Sequence, residues 1–393
     1  MIKTKNTEII LNCTRNNDLV LREGEVHLTI YVGLLILIFL AMIIDHSTIM
    51  ASNTQKRSNI LLGIIFISIF LICVLRSGSV GRDIAGYELA YKMTKDVPFS
   101  DFNYIYYENG YLLFMKICVA MKMNFQCFLV VTYLIILFPI FIFIEKFSND
   151  KIFSVLIYIC YIIFEFDLTG LRQAIAMSIT LVAFVVLIEK KKMYMLWYVL
   201  LILLAMTFHK SAIICFAILP LMIIKDIKWY SVIVALITII SLALRSALLP
   251  YIKQLFDKDS FNTNAALHIG ANVIFMVIMA AYFLYVLNIV KKGSGYNREF
   301  YDEVFVENNE LFFKIFLLSI LLALFFGNET SARSFMFFSQ SLIILLPNTL
   351  FYLEKKSSII LRMLFVAFFV YFFATNTLIA NNFDIVPYKF YWE

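Results

Sequence analysis

The chain has 393 residues, of which 62% are hydrophobic and 15% are charged, and its formal net charge is +6. Soluble domains carry about 25% charged residues, so this composition excludes a soluble enzyme with a single membrane tail. The modest charge is spread over short loops, which excludes a nucleic-acid-binding protein, and no CxxC pair indicates a zinc or redox site.

Apolar runs recur along the whole chain, and each has about the length that crosses roughly 30 Å of hydrocarbon. A backbone in lipid must satisfy its own hydrogen bonds, and runs such as 60–75 lack the alternation of a β-barrel strand. The sequence therefore predicts an all-α fold, a polytopic integral membrane helical bundle of about 12 spans. We place the spans near residues 27–45, 60–75, 125–144, 152–167, 171–188, 193–208, 211–224, 229–246, 266–290, 310–326, 334–353 and 359–378.

The spans define one transmembrane helical domain, residues 27–378, between an N-terminal tail, 1–26, and a C-terminal tail, 379–393. No small-residue cleavage site follows the first run, so we predict a spanning segment there rather than a signal peptide. The longest connection, 76–110, is predicted to be an external loop. The run 111–121 is too short to span and carries a lysine, so we expect a re-entrant or interfacial helix there.

Lysine and arginine are about twice as dense in one set of loops as in the opposite set, which marks the first set as cytoplasmic by the positive-inside rule. This topology places both termini outside. It also brings ionisable residues from widely separated parts of the chain to the external face. The predicted cytoplasmic loops are 46–59, 145–151, 189–192, 225–228, 291–309 and 354–358.

The external loop 76–110 carries charged side chains beside glycines and tyrosines. Gly78, Gly81 and Gly86 allow tight turns and a close approach to a ligand. A long connection with such residues more often serves function than simple linkage. The alternative is an ordinary solvated loop with internal ion pairs. The ionisable residues that we single out in this loop are Arg76, Arg82, Asp83, Glu88 and Glu108.

Two arginines stand at the external ends of predicted spans. Arg172 and Gln173 lead into a strongly apolar helix that begins with small alanines, which suit close packing inside a bundle. We therefore predict that Arg172 faces inward. The alternative is that it only extends to the interface, as arginines at span ends often do. Arg333 heads a later span at about the same depth, and the same alternative applies to it.

His209 and Lys210 lie in a short external turn between two spans. A histidine there can act as an acid or a base, or bind a phosphate when protonated; the alternative is a polar residue tolerated in a turn. No second histidine lies at metal-ligand spacing, so we predict no zinc site. Arg245 lacks supporting neighbours. Residues 257–259, Asp-Lys-Asp, resemble the Asp-x-Asp metal pair of nucleotide-sugar transferases, but a lone match is common by chance.

Arginines, carboxylates and a histidine are thus predicted to converge at the outer edge of a helical bundle. A guanidinium never deprotonates, and its planar fork suits a diphosphate. Tyrosine combines an apolar body with a polar tip, which suits the faces of sugars. A sugar joined to a lipid through a diphosphate would match this predicted site. Its lipid tail would lie between helices, its diphosphate on the arginines and its sugar in the loop cavity.

A series of short motifs follows in order along nearly the whole chain. They are Gly81-Arg-Asp-Ile-Ala-Gly-Tyr-Glu with Tyr91, Glu108-Asn-Gly-Tyr-Leu-Leu, Leu171-Arg-Gln-Ala-Ile-Ala, Phe208-His-Lys-Ser-Ala, Arg333 before Leu346-Pro, and Pro387-Tyr-Lys. This ordered set resembles the EpsG-like branch of the Wzy-type O-antigen and exopolysaccharide repeat-unit polymerases. Two features depart from that pattern: the N-terminal tail is longer, and Arg82 stands where threonine is commoner.

The resemblance implies an inverting, metal-independent glycosyltransferase without a cofactor, active at the outer face of the bacterial cytoplasmic (inner) membrane. The growing glycan would leave undecaprenyl diphosphate and join a new undecaprenyl-diphosphate-linked repeat unit of a capsule, O-antigen or exopolysaccharide. Asp83 or Glu108 would orient or deprotonate the acceptor hydroxyl, and His209 would bind phosphate or assist proton transfer. The residues implied to contact the diphosphate or glycan are Arg76, Arg82, Tyr87, Arg172, Gln173, Lys210 and Arg333.

The resemblance also implies a chain-length regulator and a flippase as partners, besides the lipid bilayer that the apolar runs predict; the modest charge predicts no nucleic-acid partner. Two other functions stay open at this point. One is another lipid-carrier transferase, such as a glycan ligase or a membrane acyltransferase. The other is a polysaccharide transporter or flippase, although transporters usually show internal repeats and broken helices at the midplane, and the sequence contains no repeat.

Overall fold

The computed structural model of the protein describes residues 30–46, 54–256, 270–292, 303–326 and 329–393. The predicted N-terminal tail, 1–26, and the Asp-Lys-Asp sequence at 257–259 lie outside the described residues. The described part of the chain is mostly helical and forms no β-strand, which confirms the all-α prediction.

The described helices follow the apolar runs of the sequence, and several begin at a side chain that caps the first turn. Asn124 accepts a hydrogen bond from the Cys127 amide at 2.8 Å, and Asp150 accepts one from the Phe153 amide at 3.1 Å. In the first half of the chain the helices are α1 (Ile30–His46), α2 (Thr54–Val74), α3 (Ile84–Thr94), α4 (Asn109–Ala120), α5 (Phe125–Phe147), α6 (Lys151–Cys160), α7 (Ile163–Thr169) and α8 (Leu171–Glu189).

The second half of the chain contains further long helices and two segments of tighter or wider helical geometry. The helices are α9 (Tyr194–Phe208), a 3₁₀ helix (Lys210–Ala217), α10 (Ile218–Leu221), α11 (Ile227–Ala243), α12 (Arg245–Phe256), α13 (Ala271–Lys291), α14 (Glu303–Phe326), α15 (Glu329–Ser339), α16 (Leu342–Phe351), α17 (Lys355–Phe373) and a π-helix (Ala374–Ile379).

By length and composition, the structure confirms fewer membrane-crossing helices than the about 12 that the sequence predicted. Within the described residues 7 helices are long and apolar enough to cross a membrane, or up to 9 if each of two bent pairs counts as one span. The predicted span 152–167 is bent by 57° between α6 and α7, and 229–246 is bent by 81° between α11 and α12. Ile162, at the first bend, has a φ of 55°, which a β-branched residue in a continuous helix does not adopt.

Charged side chains from different loops meet at one end of the bundle. Lys190 pairs with Glu307 at 3.0 Å, and Lys291 pairs with Glu310 at 3.2 Å. Lys146 also pairs with the acid that ends α8. We call this the lysine-rich end. Its contacts join the loops that the sequence predicted to be cytoplasmic.

Three of the predicted spans are short helices: α1, α9, and the 3₁₀ helix with α10. Contacts nevertheless place the two ends of α9 far apart. Lys190, just before α9, lies at the lysine-rich end, whereas His209, just after it, contacts Glu108 at the opposite end. The chain then returns, because Lys314 donates to the Ile224 carbonyl at 2.9 Å. Both α9 and the 3₁₀–α10 segment therefore run between the two ends of the bundle.

The α15–α16 segment lies at the centre of the bundle, and α17 lies at its periphery. In the most apolar stretch of Arg333–Phe351, 94% of the residues are buried, against 11% in Lys355–Ile379. The exposed apolar face of the second segment suits contact with lipid. The N-terminal turn of α8 packs against the central segment, because Gln173 donates a hydrogen bond to the Arg333 carbonyl.

The predicted loop 76–110 is partly helical and well anchored. It contains α3, and its second part is held by Lys116 of α4, which donates to the Pro98 carbonyl at 2.6 Å. The Lys116 ammonium also lies 5.2 Å from the ring centre of Phe102 and 5.0 Å from that of Tyr104. The predicted short run at 111–121 is the 12-residue helix α4.

The C-terminal segment folds back on the beginning of this connection. Ser77 donates its amide to the Lys389 carbonyl at 2.7 Å, and Tyr391 donates to the Leu75 carbonyl at 2.9 Å. Two more backbone bonds attach Gly81 and Arg82 to the same segment. The predicted C-terminal tail is thus packed on the bundle and fixes the chain that leads into α3.

Candidate functional site

Glu108 is the centre of a charged cluster at the end of the bundle opposite the lysine-rich end. It immediately precedes α4 with an extended backbone, and its side chain makes no capping hydrogen bond to the helix. Its carboxylate accepts a hydrogen bond from the Arg172 guanidinium. The other carboxylate oxygen lies 3.2 Å from His209 Nδ1 and accepts the Lys210 amide at 3.3 Å. We call Glu108, Arg172 and His209 the Glu108 cluster.

Arg172 is held from several sides in the first turn of α8. Its guanidinium lies 4.2 Å from the ring centre of Tyr107, and it interacts electrostatically with the Tyr87 hydroxyl. Its side chain is only 23% exposed, compared with 50% for Arg333. Arg172 is therefore an inward-facing arginine, as predicted, rather than one that extends into solvent or headgroups.

His209 ends α9 in an extended conformation, with φ −155°, and the 3₁₀ helix begins directly after it. This turn places the imidazole and the Lys210 amide on the same carboxylate oxygen. His209 is buried, with 6% of its surface exposed. Its orientation therefore depends on the Glu108 carboxylate more than on solvent.

The surroundings of Glu108 change its acidity and that of nearby tyrosines. Burial is the largest influence on Glu108 and raises its pKa, but the hydrogen bond from His209 and the charge of Arg172 outweigh it and lower the pKa from 4.5 to about 2. Burial raises the pKa of Tyr107 to about 12 and also raises that of Tyr87. Glu108 is thus ionised and both phenols are neutral at ordinary pH.

A cavity of about 170 Å³ opens beside the cluster. Its walls carry three members of the cluster and two tyrosines, with Lys210 at the rim 5.9 Å from the ring centre of Tyr106. Tyr106 is 70% exposed. The lining residues are Tyr106, Tyr107, Glu108, Arg172, His209, Lys210 and Ser211.

A second charged pair lies next to the cluster through Gln173. Arg333 lies 3.6 Å from the Asp83 carboxylate, and both side chains are partly exposed. Gln173, the neighbour of Arg172, donates its side-chain amide to the Arg333 carbonyl. Tyr87, the fourth residue of α3, contacts Arg172. The predicted residues Asp83, Gln173 and Arg333 are thus brought beside the Glu108 cluster, where Tyr87 already contacts Arg172.

Arg76 and Arg82 are not part of this arrangement. Arg76 is completely buried and donates to the Leu168 carbonyl and to the Tyr133 hydroxyl, so it stabilises the packing of α2 against α5 and α7. Arg82 points to the C-terminal segment and pairs with Asp384 at 3.1 Å. The expected contact of these two arginines with a diphosphate is therefore not supported by their positions.

Tyr106 and Tyr107 also line the cavity, although the sequence motifs did not point to them. The sequence did contain a hint of their role, because the pair Tyr106-Tyr107 stands directly before Glu108. Their roles in the cavity depend on the cation–ring contacts with Lys210 and Arg172, which only the fold creates. Within the residues that the structure describes, no group of three or more His, Cys, Asp or Glu side chains is arranged to hold a metal ion.

The fold and the site define a multi-pass, all-α membrane protein with a largely buried charged cluster beside a cavity at one end. The chain belongs to the EpsG family, whose family profile matches residues 59–390, and the predicted family is thereby confirmed. No match was found among curated proteins or among solved structures.

Proposed function

We propose that the protein is a polymerase of lipid-linked oligosaccharide repeat units, as expected for the EpsG family. The growing glycan is transferred from undecaprenyl diphosphate to a hydroxyl of a new lipid-linked repeat unit, at the external face of the cytoplasmic membrane. One observation carries this proposal. Arg172, Glu108 and His209 converge at a single cavity although they come from three separate stretches of the chain.

The diphosphate is proposed to bind to Arg172 at the cavity wall and to Arg333 beside it. Negative charge develops on the diphosphate as the glycosidic bond breaks, and fixed cations stabilise that charge without reorganising. Arg172 and Lys210 outnumber the single Glu108 carboxylate among the charged cavity residues, so the cavity favours an anion. The partly exposed Arg333 pairs only loosely with Asp83, at 3.6 Å, and is accessible to a second phosphate.

His209 is the better candidate for the base, and Glu108 orients it. A carboxylate with a pKa of about 2 accepts a proton poorly near neutral pH. When Nδ1 of His209 donates to Glu108, the other ring nitrogen, Nε2, is the one that accepts a proton. Asp83 is the alternative base, since its partly exposed carboxylate lies beside Arg333 in the second charged pair.

The lipid-linked glycans of a deletion strain that carries each variant test this proposal. Arg172→Ala should leave single repeat units on the lipid and no long polymer, because the leaving diphosphate loses its buried cation. His209→Gln should lower the polymer yield by about 10²-fold or more if His209 is the general base. Lys95→Ala, an exposed cation in the same external connection, is the matched control and should support normal polymer. Normal polymer length with Arg172→Ala would refute the assigned role.

One observation favours a transporter or flippase as a second candidate. The bent pair α6–α7 carries two buried acids, Glu165 and Asp167, and bent helices with buried charges are common at transport sites. The same deletion strain separates the two functions. A transporter predicts that single repeat units accumulate on the inner leaflet, whereas a polymerase predicts that they accumulate on the outer leaflet, where an added glycosidase can reach them.

A further inference from the structure

A second and larger cavity lies at the same end of the bundle, along the outer face of α3. It is an open groove of about 330 Å³, which is within the range of small-ligand sites. We call it the α3 groove. Its walls are formed by the chain just before α3 and by side chains of α3 itself. The lining residues that matter here are Ser77, Gly78, Ser79, Glu88, Leu89 and Lys92.

Helix α3 separates this groove from the Glu108 cluster. Residues on the inner face of the helix, such as Tyr87 and Tyr91, are buried, and Tyr87 contacts Arg172. The next residue, Glu88, lies on the other face and lines the groove. A substrate with its charged part at the cluster would therefore have to pass over the N-terminal end of α3, near Asp83, to enter the groove.

The chemistry of the groove suits uncharged sugars better than phosphate. Glu88 pairs with Lys92 at 2.7 Å, so the two charges balance while their outer atoms still offer acceptors and donors. The hydroxyls of Ser77 and Ser79 lie 3.2 Å apart on the opposite wall. Leu89 is 61% exposed and presents an apolar surface. A sugar ring has hydroxyls at its edge and C–H groups on its face, which match these two kinds of surface.

The wall formed by residues 77–82 is held in place before any ligand arrives. The backbone of Ser77 and that of Gly81 are bonded to the C-terminal segment at 2.7 and 2.8 Å. Gly78 has no side chain, and a Cβ there would lie 2.3 Å from a Glu88 carboxylate oxygen. Glycine thus leaves room for the Glu88 carboxylate within the groove. A preorganised wall lowers the entropy cost of binding a flexible ligand.

We propose that the α3 groove binds uncharged sugar units of the growing glycan while the diphosphate of the same molecule lies at the Glu108 cluster. This inference rests on the proposed polymerase function. The growing glycan is the substrate with many sugar units, so it is the one long enough to reach across α3. The groove therefore holds the long donor chain between successive transfers and favours further extension.

The test fills the groove without touching the cluster. Ser79→Trp places a large ring in the groove, and Ser100→Trp makes the same change at an exposed position of the same connection outside it. Both purified proteins are assayed in vesicles with lipid-linked repeat units isolated from the deletion strain, and product lengths are resolved on a gel. We expect Ser79→Trp to reduce long products at least fivefold while the joining of the first two units changes less than twofold. Ser100→Trp should match the parent protein.

A binding measurement keeps this inference separate from the proposed function. The probe is the oligosaccharide released from the lipid by mild acid, and its binding to the parent and to Ser79→Trp is followed by ligand-observed NMR. Loss of binding in Ser79→Trp alone supports the groove even if polymerisation by the parent protein fails in vitro. Equal binding, or identical product lengths for the two tryptophan variants, would overturn the inference. A length defect seen in cells but not with purified protein would also overturn it, because it would indicate a protein partner at the groove.

Discussion

The pair between Glu108 and Arg172 should be coupled strongly enough to be measured in a double-mutant cycle. The cycle uses Glu108→Gln, Arg172→Gln and the double variant. A pKa lowered from 4.5 to about 2 corresponds to about 3 kcal/mol in favour of the ionised carboxylate, at about 1.36 kcal/mol per unit. His209 provides part of this stabilisation, and burial opposes it. We therefore expect a coupling of about 2 kcal/mol between Glu108 and Arg172.

The assay is unfolding of the purified protein in mixed detergent micelles, titrated with a denaturing detergent and followed by helix content. Each single variant should be destabilised, because the remaining charge loses its partner and is poorly solvated. The Glu108 side chain is 11% exposed and that of Arg172 is 23% exposed. Lys190 and Glu307 form a matched control pair at 3.0 Å whose side chains are 55% and 67% exposed, and its cycle should give less than about 0.5 kcal/mol. A Glu108–Arg172 coupling no larger than that of the control would refute the electrostatic account of the cluster.

Three further predictions concern the second pair, the pH dependence and the buried arginine. Arg333→Ala should change the unfolding free energy by less than about 1 kcal/mol, because the Arg333–Asp83 pair is partly exposed. The same variant should nevertheless shorten the polymer. A variant that does not fold would contradict a role of Arg333 in function rather than in stability. The stability difference between the parent and Glu108→Gln should be constant above pH 4.5 and should shrink as the pH falls toward 2. The reason is that a lowered folded-state pKa stabilises the protein only while the carboxylate is ionised. A stability difference independent of pH over this range would contradict the lowered pKa of Glu108. Arg76→Gln should destabilise the protein by about 3 kcal/mol or more, since the buried guanidinium is bonded to the Leu168 carbonyl and the Tyr133 hydroxyl, and thermal unfolding in detergent would measure this. If Arg76→Gln has normal stability but makes no polymer, Arg76 would instead be assigned to diphosphate binding.

The sequence alone was sufficient to predict the class of the protein and the segments of the bundle. Whether a segment prefers lipid depends on its own composition, which can be read without knowing its neighbours. The ends of the long apolar helices follow from the same local information. The motif around Arg172 and the turn at His209 were also visible, because unusual polar residues stand out against apolar runs.

The bends were not predictable in the same way. The run 152–167 is apolar throughout, apart from its buried acids near one end, and its composition alone gives no sign of the left-handed residue Ile162 that interrupts it. The number of long spans within the described residues is correspondingly lower than the about 12 that the sequence predicted. Local hydropathy reports the presence of an apolar segment but not whether that segment stays straight.

Only the tertiary structure decided which charged residues meet. Glu108 and Arg172 are 64 residues apart, and Glu108 and Lys210 are 102 apart, yet one carboxylate contacts both. Arg76 and Arg172 were both expected to contact the diphosphate, but packing buried the first among neutral partners and placed the second at a cavity. The physical reason is that hydropathy fixes the membrane depth of a residue, whereas the packing of helices against each other fixes its neighbours at that depth.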